Sequence, residues 1–240
     1  MPALALAALP KRLAEKYWRS TLSATARAVQ DARLTYLSAA KLHVLECCLA
    51  RIEADGIEGD GVEFGVALGG SGIVIARRLA PHRRFTGYDV FGTIPPPSAR
   101  DGRDAHERYR VIASGRSSGI GGDPYYGYRA NLYDTVKANF AAFGVPVDDG
   151  RVRLVEGRFE DTVSFADDAR VAFAHVDCDW HDPVALCLER TCARLARGGL
   201  VVLDDYNDYG GCRTAAQAFL SRRRDMRLLD ASHSAVLVRD

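Results

Sequence analysis

The chain has 240 residues, 48% hydrophobic and 26% charged, with 22 Gly and 9 Pro. These are globular proportions, so disorder, collagen-like repeats and low-complexity architecture are excluded for the chain as a whole. Lys plus Arg is 32 against 31 for Asp plus Glu, a net charge of +1, which argues against a general nucleic-acid binder, because phosphate contacts need a basic excess. The length suits one large domain, or one domain with extensions, and a chain of this size buries roughly 70–75% of its unfolded surface without needing staples. Cys47, Cys48, Cys178, Cys187, Cys192 and Cys212 form no C-x-x-C pair. They read as reduced, mostly buried thiols of a cytoplasmic protein. No apolar run approaches the roughly 20 residues of a membrane helix. The opening MPALALAALPKRL is apolar first and basic second, the reverse of a secretory signal.

Helical spacing runs over 11–30, where Leu13 pairs with Tyr17 and Trp18 with Leu22 and Val29. A second helix is expected over 37–54, capped near Asp55-Gly56. Both precede the first strand, so residues 1–56 read as an N-terminal helical cap or arm, and a homodimer through that arm is expected. Trp18 is expected to pack against the sheet. Residues 57–240 read as one α/β domain. Its strands are VEFGV, FTGYDV, VRLVEG, VAFAHVD and GLVVLDD, with helices over 131–143, 183–197 and 212–222. Strands alternating with helices imply a doubly wound, mostly parallel sheet covered on both faces. MRLLDA and SAVLVR are separated by too few residues for a crossover helix, so they complete seven strands as an antiparallel hairpin. Residues 92–130 interrupt the alternation with Pro95-Pro96-Pro97, several arginines and Tyr109, Tyr125, Tyr126 and Tyr128. A connection this long reads as an insert or lid.

Three signals carry chemistry. The first is Glu63-Phe64-Gly65-Val66-Ala67-Leu68-Gly69-Gly70-Ser71-Gly72, which leaves a strand and opens a helix. Glycines there let a ligand approach the backbone, and the helix N-terminus offers free N–H groups. The spacing is not the dinucleotide G-x-G-x-x-G. An acid followed by G-x-x-x-G suits a cationic, carboxylate-bearing cofactor such as S-adenosylmethionine, and a purely structural tight turn is about as good a reading of the motif alone. The second signal is Asp89, about twenty residues on at a strand end, where an acid can accept from both ribose hydroxyls of an adenosine cofactor. The third is Asp177 at the end of AFAHVD and Asp204-Asp205 at the end of LVVLDD. Ligands bind at the C-terminal edge of a parallel sheet. Three carboxylates converging there repel one another unless a cation lies between them, and hard oxygen ligands suit Mg²⁺ or Ca²⁺. One such Asp alone would read as a helix cap.

The stretches EFGVALGG, RFEDTV, AHVDCDWHDPVALCL and LVVLDDYNDYGGCRTAA resemble the macrocin and mycinamicin O-methyltransferases, from about Thr35 to about Ala216. The resemblance implies a class I methyltransferase fold and a metal-dependent transfer of methyl from S-adenosylmethionine to a sugar hydroxyl of a natural product. It implies Asp177, Asp204 and Asp205 as metal ligands, with Mg²⁺ or a similar divalent cation. Glu63, Gly65 and Ser71 would line the methionine side of the cofactor, and Asp89 would hold the ribose. Gly157, Arg158 and Phe159 would flank the adenine, and Thr35 and Ser38 would reach the cofactor carboxylate. The chain departs from the family in its longer 92–130 segment and in Trp180-His181, where a small residue and a tyrosine follow D-x-D in the family. Both departures leave room for a different acceptor.

The expected partner is a small hydroxylated acceptor, with neither nucleic acid nor membrane involved. Two neighbouring acceptor oxygens could chelate the metal, favouring vicinal diols. His181, titratable near neutrality and close in sequence to Asp177, is the first expected general base and His106 the second, with Asp179 supporting the helix start instead. Tyrosines of the insert could stack on sugar rings and its arginines meet an anionic group. Two other functions share the pattern: a nicotinamide-dependent oxidoreductase, and a non-catalytic subunit that binds S-adenosylmethionine.

Overall fold

The computed structural model describes residues 10–240; the apolar opening MPALALAAL, on which the reading of no secretory signal rests, lies outside the described residues. The helical stretch expected over 11–30 is two helices, α1 (Lys11–Thr21) and α2 (Ala24–Asp31). Leu22 is extended between them, and the Ser23 hydroxyl accepts from the Ala26 amide at 3.1 Å. That N-cap starts a new helix rather than prolonging the old one. Leu13 and Tyr17 face solvent. Next comes α3 (Ala39–Ala54), followed by Gly56 at φ +62°. A glycine in this left-handed conformation ends a helix with little strain. Leu42, Leu45, Leu49 and Ile52 of α3 are fully buried in the same core as the sheet, so the hydrophobic interior runs across the arm–domain boundary.

The sheet has seven strands: β1 (Asp60–Phe64), β2 (Phe85–Asp89), β3 (Val152–Glu156), β4 (Val171–Val176), β5 (Leu195–Leu203), β6 (Met226–Asp230) and β7 (Ala235–Arg239). Their spatial order is β3-β2-β1-β4-β5-β7-β6. The first five are parallel, and β7 and β6 add on as the expected antiparallel hairpin. Trp18 packs between His43 and His233 of the hairpin turn, with ring centroids 5.0 and 5.2 Å away. The chain winds outward from β1 to β3, then returns to β4 on the other side. The switch point therefore lies between β1 and β4, where open α/β sheets bind ligands.

Helices cover both faces: α4 (Gly70–Arg78), α5 (Arg103–Ala113), α6 (Leu132–Ala142), the short α7 (Phe159–Thr162), α8 (His181–Cys192) and α9 (Gly210–Arg222). One core cluster packs α3, α4 and α6 on the sheet, with Phe85, Phe140 and Phe173 at its centre; the other packs α8 and α9 around Phe64, Leu188 and Phe219. The helix expected over 183–197 stops at Cys192, because Leu195 pairs with Val171 and draws the chain into β5. Long-range pairing outweighs the helical propensity of Ala193–Arg197 there.

The 92–130 insert is ordered around α5 and is fastened by its own acids. Asp101 accepts from the His181 amide at 2.7 Å, at the start of α8, and Asp104 accepts from the Gly210 amide at 3.1 Å, at the start of α9. Carboxylates at helix N-termini satisfy free N–H groups and complement the helix dipole. All six cysteines are free thiols, five of them buried. Among the described residues, no helix is long and apolar enough to cross a membrane.

Candidate active site

The switch point is built by a close backbone approach. The Asp177 amide donates to Phe64 O at 2.8 Å, and the Gly65 amide to Tyr88 O at 2.9 Å. Gly65 has φ +91°, and a Cβ there would stand 1.8 Å from Asp177 O. Two cavities meet over this point. One, about 390 Å³, is walled by Gly65, Asp89, Val90, Arg158, Phe159 and Leu186 among others. The other, about 260 Å³, is walled by Tyr36, Lys41, Arg108, Tyr125, Asp204 and Asp205 among others. Gly65, Tyr126, Asp177, Asp179 and Trp180 line both. The Trp180 indole N–H donates to Pro95 O at 2.9 Å, which pins the start of the insert beside the shared wall.

Asp177, Asp204 and Asp205 come together here, each with a carboxylate oxygen within 4.8 Å of the others. The two at the end of β5 are buried. Burial first, and then the neighbouring carboxylates, push Asp177 and Asp205 well above the usual carboxylate range. Burial and the Asp204 carboxylate push Asp179 up to about 7. The cluster thus holds more negative charge than its surroundings offset. Lys41 Nζ stands 2.7 Å from Asp204 Oδ2. It is the one basic side chain within ion-pair distance of Asp177, Asp179, Asp204 or Asp205 among the described residues.

A raised carboxylate favours folding only while protonated. The contribution of Asp179 is complete below the ordinary value of about 3.9 and is lost as pH rises through about 7. In the metal-free protein, the melting temperature of the wild type is therefore expected to fall relative to that of Asp179→Asn between pH 5 and pH 8. Differential scanning calorimetry of the two proteins in chelator checks this, and parallel curves would remove the burial argument for Asp179.

Of the residues expected to bind cofactor, Gly65, Asp89, Arg158 and Phe159 line the larger cavity. Asp89 is already engaged: Oδ2 accepts from the Val66 and Ala67 amides at 2.7 and 2.9 Å, and Oδ1 from the Phe91 amide at 2.7 Å. A carboxylate offers about four lone-pair sites, so one further donor can be accepted, not the two ribose hydroxyls. The Gly157 amide donates to Asp89 O at 2.9 Å, beside the wall.

Glu63 stands elsewhere than expected. It is fully buried, bonds His175 Nδ1 at 2.9 Å and lines neither cavity. Side chains alternate along a strand, and its position on β1 turns Glu63 under α4, where Oε2 would meet a Cβ placed on Gly72 at 2.6 Å. Ser71 is likewise buried in the first turn of α4, outside both linings. The Thr35 hydroxyl accepts from the Leu37 amide and the Ser38 hydroxyl caps α3; Tyr36 and Leu37 line the smaller cavity in their place.

Neither expected base faces the cavities. His181 Nδ1 lies 2.7 Å from Asp182 Oδ1 at the start of α8, and His106 sits on α5; both are outside the linings. Asp179, expected to support the helix start, instead lines both cavities at φ +56°, with its amide donating to Asp205 Oδ2 at 2.9 Å. Sequence reading also missed Lys41, Tyr36 and Arg108. The insert's arginines and tyrosines were the only signal for Arg108, and nothing local marked Lys41.

A doubly wound sheet of this order, with strand-end acids around a switch-point cleft, defines a class I methyltransferase, the class that uses S-adenosylmethionine. Solved structures agree on the fold. The O-methyltransferase NovP superposes with a TM-score of 0.72 at 19% identity, covering 96% of this chain and 99% of that one. The O-methyltransferase TomG from Streptomyces achromogenes, solved with S-adenosylmethionine, gives 0.58 at 16% identity, covering 94% of each chain. Residues 10–231 match the macrocin-O-methyltransferase (TylF) family, and the chain belongs to that family. Similar relatives are the 8-demethyl-8-(2,3-dimethoxy-alpha-L-rhamnosyl)-tetracenomycin-C 4'-O-methyltransferase of Streptomyces olivaceus, at 32% identity over 78% of this chain and 68% of that protein, and the mycinamicin III 3''-O-methyltransferase of Micromonospora griseorubida, at 27% over 78% and 70%. The chain is thus an S-adenosylmethionine-dependent O-methyltransferase, which sets aside the nicotinamide and non-catalytic readings.

Proposed function

We propose that the enzyme methylates a hydroxyl of a sugar or other polyhydroxylated natural product, with a divalent cation held by Asp177, Asp204 and Asp205. The observation that carries this reading is the acidic triad, with Asp177 in the wall shared by the two cavities and Asp204 and Asp205 in that of the smaller one. The donor set fits such an ion. All three ligands are hard oxygens, their 4.8 Å spread is close to what one Mg²⁺ or Ca²⁺ spans with oxygens at about 2.1–2.5 Å, and Lys41 alone offsets only part of the cluster's negative charge. A divalent cation bound there supplies a lowered hydroxyl pKa and a fixed orientation for the acceptor oxygen.

The larger cavity would take the adenosine half of the cofactor, with Arg158 and Phe159 available to the base and the remaining lone pair of Asp89 available to a ribose hydroxyl. Gly65 lines both cavities and would stand where the sulfonium end of the cofactor meets the acceptor. The smaller cavity takes the acceptor, whose ring meets the aromatic walls of Tyr36, Tyr126 and Trp180. Methyl transfer needs oxygen, carbon and sulfur in line, and such alignment contributes on the order of 7–11 kcal/mol in favourable cases. The insert supplies one side of that alignment, because its Tyr125, Tyr126 and Arg108 close the acceptor side.

Asp179 takes the acceptor proton in this reading, since it faces both cavities and His181 faces neither. Asp179→Asn is expected to lower kcat about a hundredfold, within the range of lost general-base catalysis, while His181→Ala stays within a few-fold. Steady-state kinetics decide, and a larger loss in His181→Ala would reverse the assignment. The function itself is tested by offering labelled S-adenosylmethionine and a panel of glycosylated natural products and free sugars, with and without chelator. Methyl transfer to a sugar hydroxyl that stops on chelation is expected. Transfer only to phenols, or transfer that is indifferent to chelator, would overturn the acceptor class or the metal respectively.

A further inference from the structure

Lys41 lies in the first turn of α3 yet reaches the acid rim at the end of β5. Its ammonium donates to Asp204 Oδ2 at 2.7 Å, to Asp204 O at 3.2 Å and to Asp208 Oδ2 at 2.6 Å. A protonated lysine has three donors, so all of them are engaged on one short segment. The chain has 28 arginines and four lysines, and this partly buried place holds a lysine. An ammonium is a compact point charge, whereas a guanidinium is a broad planar fork. Against the desolvation of its burial, Asp204 and Asp208 raise the Lys41 pKa, so the group stays charged.

The same stretch of the arm touches the cofactor side. Leu34 O accepts from the Gly70 amide at 3.0 Å, at the glycine turn, and Tyr36 and Leu37 wall the cavity between the two contacts. Residues 34–41 therefore clasp the glycine turn at one end and the metal rim at the other. We infer that Lys41 is an internal counter-cation that competes with the divalent ion for the Asp204 carboxylate, so that loading the ion loosens the tie between arm and rim. This rests on the reading that Asp177, Asp204 and Asp205 hold such an ion. Like charges drawn to one carboxylate repel each other, so the ammonium opposes the ion at Asp204 and keeps ion binding exchangeable.

Mn²⁺ binding to the full-length protein, read by calorimetry and by the loss of free-ion paramagnetic resonance signal, tests the competition in the wild type, Lys41→Met, Lys41→Arg and Asp204→Asn. Circular dichroism verifies that each variant is folded. Lys41→Met is expected to bind Mn²⁺ at least about tenfold tighter than the wild type, because a competing charge is gone, and Lys41→Arg less tightly than Lys41→Met. Equal or weaker binding by Lys41→Met overturns the inference. The metal reading fails separately, if neither the wild type nor Lys41→Met binds Mn²⁺ saturably or if Asp204→Asn binds as the wild type does, and the inference falls with it. Hydrogen exchange in the wild type needs no variant. Amides of residues 34–45 are expected to exchange faster on addition of Mn²⁺, and unchanged or slower exchange overturns the proposal.

Discussion

Asp204→Asn is expected to lower kcat by on the order of 10³ or more while leaving S-adenosylmethionine affinity within a few-fold of wild type. Lewis-acid stabilisation of an acceptor oxygen contributes several kcal/mol, and each 1.36 kcal/mol is tenfold in rate. The carboxamide keeps the shape of the side chain but removes its charge, so the cluster holds two of its three anionic ligands. Cofactor affinity is spared because Asp204 lines only the smaller cavity, whereas Asp89, Arg158 and Phe159 line the larger one. Asp204→Asn also unties Lys41, whose ammonium pairs with the lost charge at 2.7 Å. Lys41→Met is therefore the necessary companion, since it removes the same ion pair and keeps the ligand. A large loss in Asp204→Asn with retained turnover in Lys41→Met assigns the effect to the ligand set. Full activity of Asp204→Asn in the presence of Mg²⁺ would remove the metal from the proposal. Cofactor binding by calorimetry and initial rates with excess acceptor give the two numbers.

The fold was largely legible because its information is local. Short apolar runs ending in acid or glycine alternate with helical spacing, and that alone fixes a parallel sheet with an antiparallel hairpin at the end. Its errors fall where distant contacts decide. The helical reading runs on to Arg197, but Leu195 pairs with β4, and the Ser23 cap divides a continuous helical pattern. The same division holds at the site. The convergence of Asp177, Asp204 and Asp205 was readable because strand ends of a parallel sheet share one edge. Glu63 was misplaced, since a motif says which residues are present and not which face of β1 each one takes; the structure gives it to His175. His181 was favoured for its nearness in sequence to Asp177, yet the start of α8 turns its ring to Asp182 and leaves Asp179 to the cavities. Lys41 reaches Asp204 across 163 positions. No local pattern marks such a pair, because it exists only once α3 has packed on the sheet.

Gly65→Ala is expected to destabilise the protein by about 4 kcal/mol and to abolish cofactor binding in whatever fraction still folds. Two costs combine at this position. A left-handed φ of +91° strains any residue with a Cβ, by roughly 1–2 kcal/mol. The added methyl would also stand 1.8 Å from Asp177 O, a backbone atom that cannot swing aside as a side chain would, and forced overpacking costs typically 1–3 kcal/mol. Relief requires β1 to part from β4 at their C-terminal ends, where the Asp177 amide bonds Phe64 O, and strains its tie to β2, where the Gly65 amide bonds Tyr88 O. Gly65 and Asp177, the donors of those two bonds, line both cavities, so strain relieved there moves Asp177 relative to Asp204 and Asp205. Gly56→Ala is the matched control. It has a comparable φ of +62°, and a Cβ there meets nothing within 4 Å, so only the backbone strain of about 1 kcal/mol remains. Urea unfolding of both variants separates the terms. A difference of about 3 kcal/mol between them measures the contact with Asp177 O, and equal losses would mean that the switch point yields more easily than its hydrogen bonds imply. With native stabilities of about 5–15 kcal/mol, Gly65→Ala stands close to the limit of folding, which makes this glycine a requirement of the sheet before it is one of the cofactor.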